Sequence, residues 1–480
     1  MSKSLVIIGG GLGGLSLALI ASKKNWKVKI IEKNSSLGGK LNQKKINDLK
    51  WDSGPSLITY KNIFDQLLSF SEKNNNPPKF IRLDNLFRYK FSDGTNLDYV
   101  SNLNHLIANI QKITQDKKDV MGFLNFIGLG EQIFNLSEKT FFKNYLFNQT
   151  NLQGLKELLS VSPIKAFGNY SKNVSKNIKN PNIQQLLLRY PTYVGSSPYK
   201  APSTLCMIPY LELAYGGWYI KNGLYELVNF IKQDLIDKGC EIIMEEEVNK
   251  IEISNNKISS ISTKSGFKIS GDEFAFNIDP DIVYKISDGK IGKNLKQKDA
   301  SMSGVVILGT LPIKSTPKNH HTVIFSNNYK QEFDQIFDDY SFPDEPTIYI
   351  NNPPKNDNNY NEKEIFIMAN APPNGNNWSD ENTKSSLDKI LNLLDKKLSI
   401  ANDLKILDIW NPNRFSKDYN CPFGSIYGRV SHGWLNTFHR NPLKKSKNTH
   451  FLGGGAHPGG GTPTVIISAF LCAKKLGIKI

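Results

Sequence analysis

The chain runs to 480 residues, 39% hydrophobic and 22% charged, the balance of a globular protein with core enough for about two to four domain-sized pieces. Its 60 Lys+Arg against 44 Asp+Glu leave a net charge of +16, but the excess is scattered in pairs such as Lys44-Lys45, Lys117-Lys118 and Lys444-Lys445, with no basic arm. Nucleic acid is therefore not an expected partner, whereas a solvated lysine surface or attachment to an anionic membrane surface is. Cys206, Cys240, Cys421 and Cys472 lie far apart without CxxC or Cys/His spacing, which argues against a disulfide framework or metal site and for a reducing compartment.

Residues 5–21, LVIIGGGLGGLSLALIA, follow Lys3 and superficially resemble a signal peptide or a short membrane span. The stretch is marginal against the roughly 20 residues a span needs, and glycines crowd its centre. Its flanks give a better reading. SLVIIGG is a short β-branched run suited to a buried parallel strand, and it leads into Gly9-x-Gly11-x-x-Gly14 and the helical LSLALIASKK. KVKIIEK follows as a second strand ending on Glu32, about 20 residues after the glycines. Strand, glycines, helix, strand and acid in register predict a dinucleotide site. Gly9 permits the tight turn, Gly11 lets backbone approach a pyrophosphate, and Gly14 lets helix and sheet pack closely. The helix start offers free N–H groups to phosphate, and Glu32 can accept from ribose hydroxyls.

Gly38-Gly39-Lys40 comes close behind the second strand, and Asp52-Ser53-Gly54-Pro55-Ser56 follows a hairpin-like segment. With these elements the chain resembles the FAD-binding flavoprotein amine oxidase and carotenoid desaturase superfamily. That resemblance implies FAD, and no second GxGxxG signals a separate nicotinamide site.

Further along, residues 74–78, NNNPP, read as a loop, and FRYKFSDGTNLDYV reads as paired strands around an Asp93-Gly94 turn. From about Leu103 to Leu188 the pattern is helical and rich in large apolar residues, as in MGFLNFIGLGEQIF and FFKNYLF. These aromatics belong either to a packed core or to a cap facing substrate or lipid. From Gly216 a glycine turn, an amphipathic helix with Gly239 near its end, and strands up to Asn277-Ile278-Asp279 look like a return to the nucleotide domain. A second excursion, about Pro280 to Gly428, carries strands such as GVVILGTLPI and the polar loop NNPPKNDNNYNEKE, expected to be mobile. The ending FLGGGAHPGGGTPTVIISAF brackets Ala456-His457-Pro458 with glycine triplets. Thr462 suits an N-cap, Pro463 a first turn, and Gly477 a stop after Lys474-Lys475.

RYPTYVGSSPYKAPST and that ending narrow the resemblance to the bacterial phytoene desaturase family, over nearly the whole chain. WDSGPSLIT, GGWYIKNGLYEL, HHTVIFSNNY, DEPTIYI and IMANAPPN support it and are most similar to the branch that includes hydroxycarotenoid 3,4-desaturases. Lys221-Asn222-Gly223 and Phe438-His439-Arg440-Asn441 depart from the usual Gly-Gly and Phe-Arg-Pro. The resemblance implies an α/β fold with a Rossmann-like FAD-binding domain in three pieces (1–90, 216–285 and 445–480). It also implies a helical substrate and membrane-associating region (91–215) and a substrate-binding sheet region (286–444). Gly9, Gly11, Gly14, Glu32, Gly39 and Lys40 would hold the ADP half and pyrophosphate, and Val248 would meet the adenine through its backbone. Asn277 and Asp279 belong to a second nucleotide-domain signature, and Gly454, Gly455, Pro463, Thr464 and Val465 would line the flavin.

The implied activity is FAD-dependent desaturation of a long acyclic carotenoid by a cytoplasmic, peripherally membrane-attached enzyme. Its substrate is a long apolar polyene, and oxygen or a quinone is the electron acceptor. His457 is the one weak candidate for a catalytic base, the alternative being a backbone or flavin hydrogen bond. Competing readings on the same scaffold are an amine oxidase, a carotenoid isomerase or terminal oxygenase, and a non-enzymatic prenyl-lipid carrier.

Overall fold

Five parallel strands form the sheet on which everything else is hung, in the order Thr449–Phe451, Glu273–Phe276, Ser4–Ile8, Lys27–Ile31, Glu241–Ile243. The structure is a computed structural model that describes residues 3–72, 76–143, 168–353, 361–438, 440 and 446–480. Half of NNPPKNDNNYNEKE, the end of FFKNYLF, most of the NNN run, Lys444-Lys445, His439 and Asn441 lie outside the described residues.

The first strand sits in the middle of this sheet because SLVII is apolar on both faces. The next strand in sequence pairs on one side of it and the strand Glu273–Phe276 on the other. Strand order thus reverses at the carboxyl end of Ser4–Ile8, where open α/β sheets place their ligands. Helix Leu12–Lys23 is buried from Leu12 to Ala21 and packs between the last helix, Thr462–Lys475, and helix Glu226–Asp237. The apolar stretch that resembles a signal sequence is therefore a strand and helix of the core. Among the described residues no helix is long and apolar enough to cross a membrane.

A seven-stranded sheet stands apart from the first, in the order Lys405–Trp410, Ser303–Pro312, Glu362–Ala371, Ile348–Asn351, His321–Ile324, Asn85–Lys90, Asn96–Val100. Its pairs are antiparallel except His321–Ile324 with Asn85–Lys90. Residues 85–90, expected with the nucleotide-binding piece, thus side with the second sheet, through backbone hydrogen bonds to His321–Ile324. A three-stranded sheet, Val248–Ser254, Lys257–Thr263 and Lys268–Ile269, turns at Asn255-Asn256, both left-handed, as a two-residue hairpin requires.

The helices Leu103–Thr114, Lys117–Lys139, Tyr170–Asn177, Pro181–Leu188 and Met207–Tyr215 make the expected helical region. Many of the chain's asparagines work as caps here: Asn102, Asn169 and Asn180 each accept from a backbone N–H in the first turn of the helix that follows. Phe123, Phe126, Phe134, Phe141 and Phe142 are all buried, so the described aromatics of this stretch form core rather than a lipid-facing surface.

Candidate cofactor and active site

One cleft of about 1840 Å³, counted out to its open mouth, runs along the carboxyl ends of the parallel strands to the face of the seven-stranded sheet. At one end lie Glu32, Lys33, Asn34 and Val248; Gly9, Gly11 and Gly39 line its middle, and Val306, Phe366 and Met368 its far wall.

Glu32 is buried at the tip of the second strand. Its Oε2 accepts from the Gly10 N–H at 2.7 Å and its Oε1 from the Asn34 N–H at 2.9 Å. Burial pushes its carboxyl above the usual range, partly offset by those two amides. The acid therefore first holds the glycine turn in shape, and its remaining lone pairs face the cleft. Gly14 is needed for packing, since a Cβ there would stand 2.3 Å from the Gly9 carbonyl oxygen. A Cβ on Gly11, which lines the cleft, would stand 3.0 Å from Asn277 Nδ2 and 3.8 Å from Gly38 O and Gly39 Cα, with no backbone collision.

Two helix N-termini open on this cleft without a side-chain cap and without an acidic residue in the first turn. Gly11 precedes helix Leu12–Lys23, and Gly461 precedes helix Thr462–Lys475. Uncapped ends of this kind carry free N–H groups and partial positive charge, suited to phosphate or a negatively charged ring. Thr462, expected as the N-cap, is instead the first helical residue, with Pro463 second and Gly461 at the cap position. Gly477 does end the helix: it is left-handed, its N–H reaches Lys474 O at 3.1 Å, and the Ile478 N–H reaches Ala473 O at 3.0 Å.

Most of the expected residues meet at the cleft: Gly9, Gly11, Glu32, Gly39, Lys40, Val248, Asp279, Gly454, Gly455 and Val465 all line it. Gly14 sits behind it. Pro463 and Thr464 do not line it; the Thr464 hydroxyl turns back onto the carbonyls of Gly460 and Gly461, both at 2.9 Å. Lys40 donates to the Ile426 carbonyl. Asp279 caps helix Pro280–Ile286 through the Asp281 N–H at 3.0 Å, and desolvation raises its carboxyl. His457 is absent from the lining and sits 3% exposed against Phe141.

The structure adds residues that local patterns did not announce. Tyr427, Val306, Phe366 and Met368 reach the cleft from separate strands and a loop. Asn277, named above with Asp279 and set at the end of strand Glu273–Phe276, lines the cleft and donates from Nδ2 to Gly9 O at 3.1 Å. Among the described residues no group of three or more His, Cys, Asp or Glu is placed to hold a metal.

These features fit a flavin dinucleotide. An acid stands at the ribose end, bare glycine backbone and two open helix N-termini follow in the middle, and an apolar wall backs the ring end. A bound FAD would be held by Glu32, Gly9, Gly11, Gly39, Gly454, Gly455 and Val465.

Residues 7–70 match the family of NAD(P)-binding Rossmann-like domains. A 4,4'-diaponeurosporene oxygenase of Staphylococcus aureus is 28% identical, over all of this chain and 99% of the relative. The resemblance to carotenoid-modifying flavoenzymes holds along the full length. Among solved structures, putrescine oxidase with bound putrescine superposes with a TM-score of 0.64 at 10% identity, over all of both chains. An oxidoreductase from Methanosarcina mazei gives 0.60 at 14% identity, over 97% of this chain and 99% of that one. The fold class read from the sequence stands with these matches, and so do FAD as cofactor and oxidoreductase as enzyme class.

Proposed function

We propose that this protein desaturates a long acyclic polyene. The observation that carries the reading is the wall of Val306, Phe366 and Met368 at the ring end of the cleft, where a hydrocarbon finds apolar surface. Burial at about 25 cal/mol per Å² supplies affinity for a substrate with no polar handle along its chain.

FAD, when bound, supplies the hydride acceptor. The chain's own residues bind, orient and exclude water. The uncapped start of helix Thr462–Lys475 would favour negative charge on the ring, and the apolar wall would keep water from the carbon that loses hydride. The substrate gives up one hydride and, from the adjacent carbon, one proton as the new C=C bond forms. The two electrons then leave to oxygen or a quinone. Peripheral attachment to an anionic membrane would bring the polyene to the site, and the net charge of +16 supports it.

A second reading, oxygenation at the polyene terminus, is favoured by the relatives named as oxygenases. Expression in bacteria that accumulate acyclic carotenoids separates the two. Desaturation removes pairs of hydrogens and shifts absorption to the red, whereas oxygenation adds oxygen mass. A purified yellow protein whose flavin is reduced anaerobically by the polyene supports either; rapid reduction by NADH alone sinks both.

A further inference from the structure

Arg189 is a buried cation outside the cofactor cleft, and only two of its five N–H donors are used. It ends helix Pro181–Leu188 and keeps 8% of its surface. Nη1 donates to the hydroxyls of Tyr89 at 2.8 Å and Tyr193 at 2.9 Å. These are the guanidinium's only hydrogen bonds among the described residues, which leaves Nε–H and both Nη2 hydrogens unspent. Its charge is balanced at one remove: the Tyr193 hydroxyl passes a hydrogen bond on to Glu212 Oε2 at 2.8 Å, and the Tyr190 hydroxyl donates to Oε1 at 2.7 Å. The guanidinium lies over Phe87, 4.3 Å from the ring centre, and 4.9 Å from that of Tyr193. It is held in one orientation with three donors free, and a buried guanidinium so placed is costly unless an acceptor meets it.

The path from this group to the cofactor cleft is aromatic throughout. Phe87 stacks on His321 at 4.7 Å, His321 on Tyr349 at 5.6 Å, and Tyr349 lies 6.4 Å from Phe366 of the cleft wall. Nearer still, the backbone two residues beyond Tyr193 presses on that wall, because a Cβ at Gly195 would stand 2.6 Å from the Tyr427 ring. Tyr193, Tyr349 and Tyr427 lie deep in the molecule and yet each keeps some accessible surface. A polyene lying along these rings from the cleft would bring its end to Arg189, and a hydrocarbon end has nothing to offer the guanidinium.

Resting on the polyene reading above, we infer that Arg189 is a specificity residue for a polyene whose end already carries a carbonyl-type oxygen, an aldehyde or a carboxylate. That oxygen accepts from Nε–H and Nη2–H, the geometry in which arginine binds such groups best. A preceding oxidation of the polyene terminus must then supply this substrate.

The test is a binding titration of the FAD-loaded protein in detergent micelles, read by quenching of flavin fluorescence. Its probes are a polyene hydrocarbon and the terminal aldehyde and terminal acid of the same carbon length. Wild type is expected to bind one or both oxygenated probes about 10- to 100-fold tighter than the hydrocarbon. If the acid is the true ligand, its advantage fades as it protonates at low pH, while an aldehyde's does not. Arg189→Gln should abolish the preference at unchanged flavin content, and Arg189→Lys, which keeps charge without the fork, should restore part of it. Equal wild-type affinity for all three probes overturns the inference even if no variant folds. An Arg189→Gln protein that holds FAD and keeps the preference overturns it too. A wild-type protein that holds FAD but binds no polyene removes the polyene reading along with it.

Discussion

The imidazole Nε2 of His457 lies 2.8 Å from the carbonyl oxygen of Phe141, and the two rings meet edge to face at 4.3 Å. A carbonyl only accepts, so Nε2 carries the hydrogen, and the buried ring does not line the cleft where substrate would give up its proton. The glycine-bracketed ending is thereby pinned to the segment after helix Lys117–Lys139, and His457 reads as a fastener. His457→Ala should lower stability by about 1–3 kcal/mol in urea melts, since it deletes a buried hydrogen bond and the edge-to-face ring contact. Flavin per chain and the pH profile of turnover should be unchanged. A folded, flavin-loaded variant with no turnover would return His457 to the chemistry.

Gly11→Ala and Gly14→Ala should fail in different ways. At Gly14 the added methyl collides with the Gly9 carbonyl inside the packed turn, so thermal stability should fall by about 1–3 kcal/mol. At Gly11 the methyl enters the cleft, so the protein should melt close to wild type but purify with little flavin. Flavin absorbance per chain and a melting curve on both variants check this; identical behaviour would mean the turn does not approach a ligand.

Glu332 offers a pH dependence unrelated to the cofactor. It is buried, accepts from Ser326 Oγ at 2.8 Å and Thr347 Oγ1 at 2.6 Å, and desolvation pushes its carboxyl up to about 7 from an ordinary 4.5. Between those values the folded state holds a proton that the unfolded chain has released, so stability falls as pH rises across that window. Glu332→Gln keeps the shape and removes the titration. Urea melts at steps from pH 4.5 to 7 should show a declining slope in wild type that is flatter in the variant, and equal slopes would contradict the assignment.

What could be read from the sequence depended on how local its cause was. The glycine turn and Glu32 sit within one strand–helix–strand unit, so spacing alone placed them. The end of the last helix was legible too, because Lys474-Lys475 and Gly477 act over one turn. Its cap lies one residue before the expected Thr462, since Gly461 takes a positive φ that Thr462 would resist. Pro463 and Thr464 were carried over by resemblance, yet a helix turns its side chains away from the cleft at those positions while Val465 faces it. Residues 85–90 went to the wrong layer because strand pairing is non-local: nothing within FRYKF announces a partner more than two hundred residues away in HTVI. Val306, Phe366, Met368 and Tyr427 were invisible for the same reason.

Asn277 ties these distant pieces together and allows the sharpest distinction. Its Nδ2–H bonds the Gly9 carbonyl, while its Oδ1 occupies space that Cβ atoms on Gly13 and Gly453 would need, at 2.6 Å and 2.5 Å. One side chain thus joins the fingerprint turn, the strand Glu273–Phe276 and the glycine-rich ending. Asn277→Ala loses the hydrogen bond and should cost about 1–3 kcal/mol, with flavin retained at reduced affinity. Asn277→Asp is nearly isosteric but replaces the donor with a second acceptor facing Gly9 O, and it adds negative charge beside the expected pyrophosphate. Its stability loss should be similar, while its flavin affinity should fall at least about tenfold further. Flavin titration of both refolded apoproteins decides the point, and equal affinities would place the phosphates elsewhere than on the Gly9–Gly11 turn.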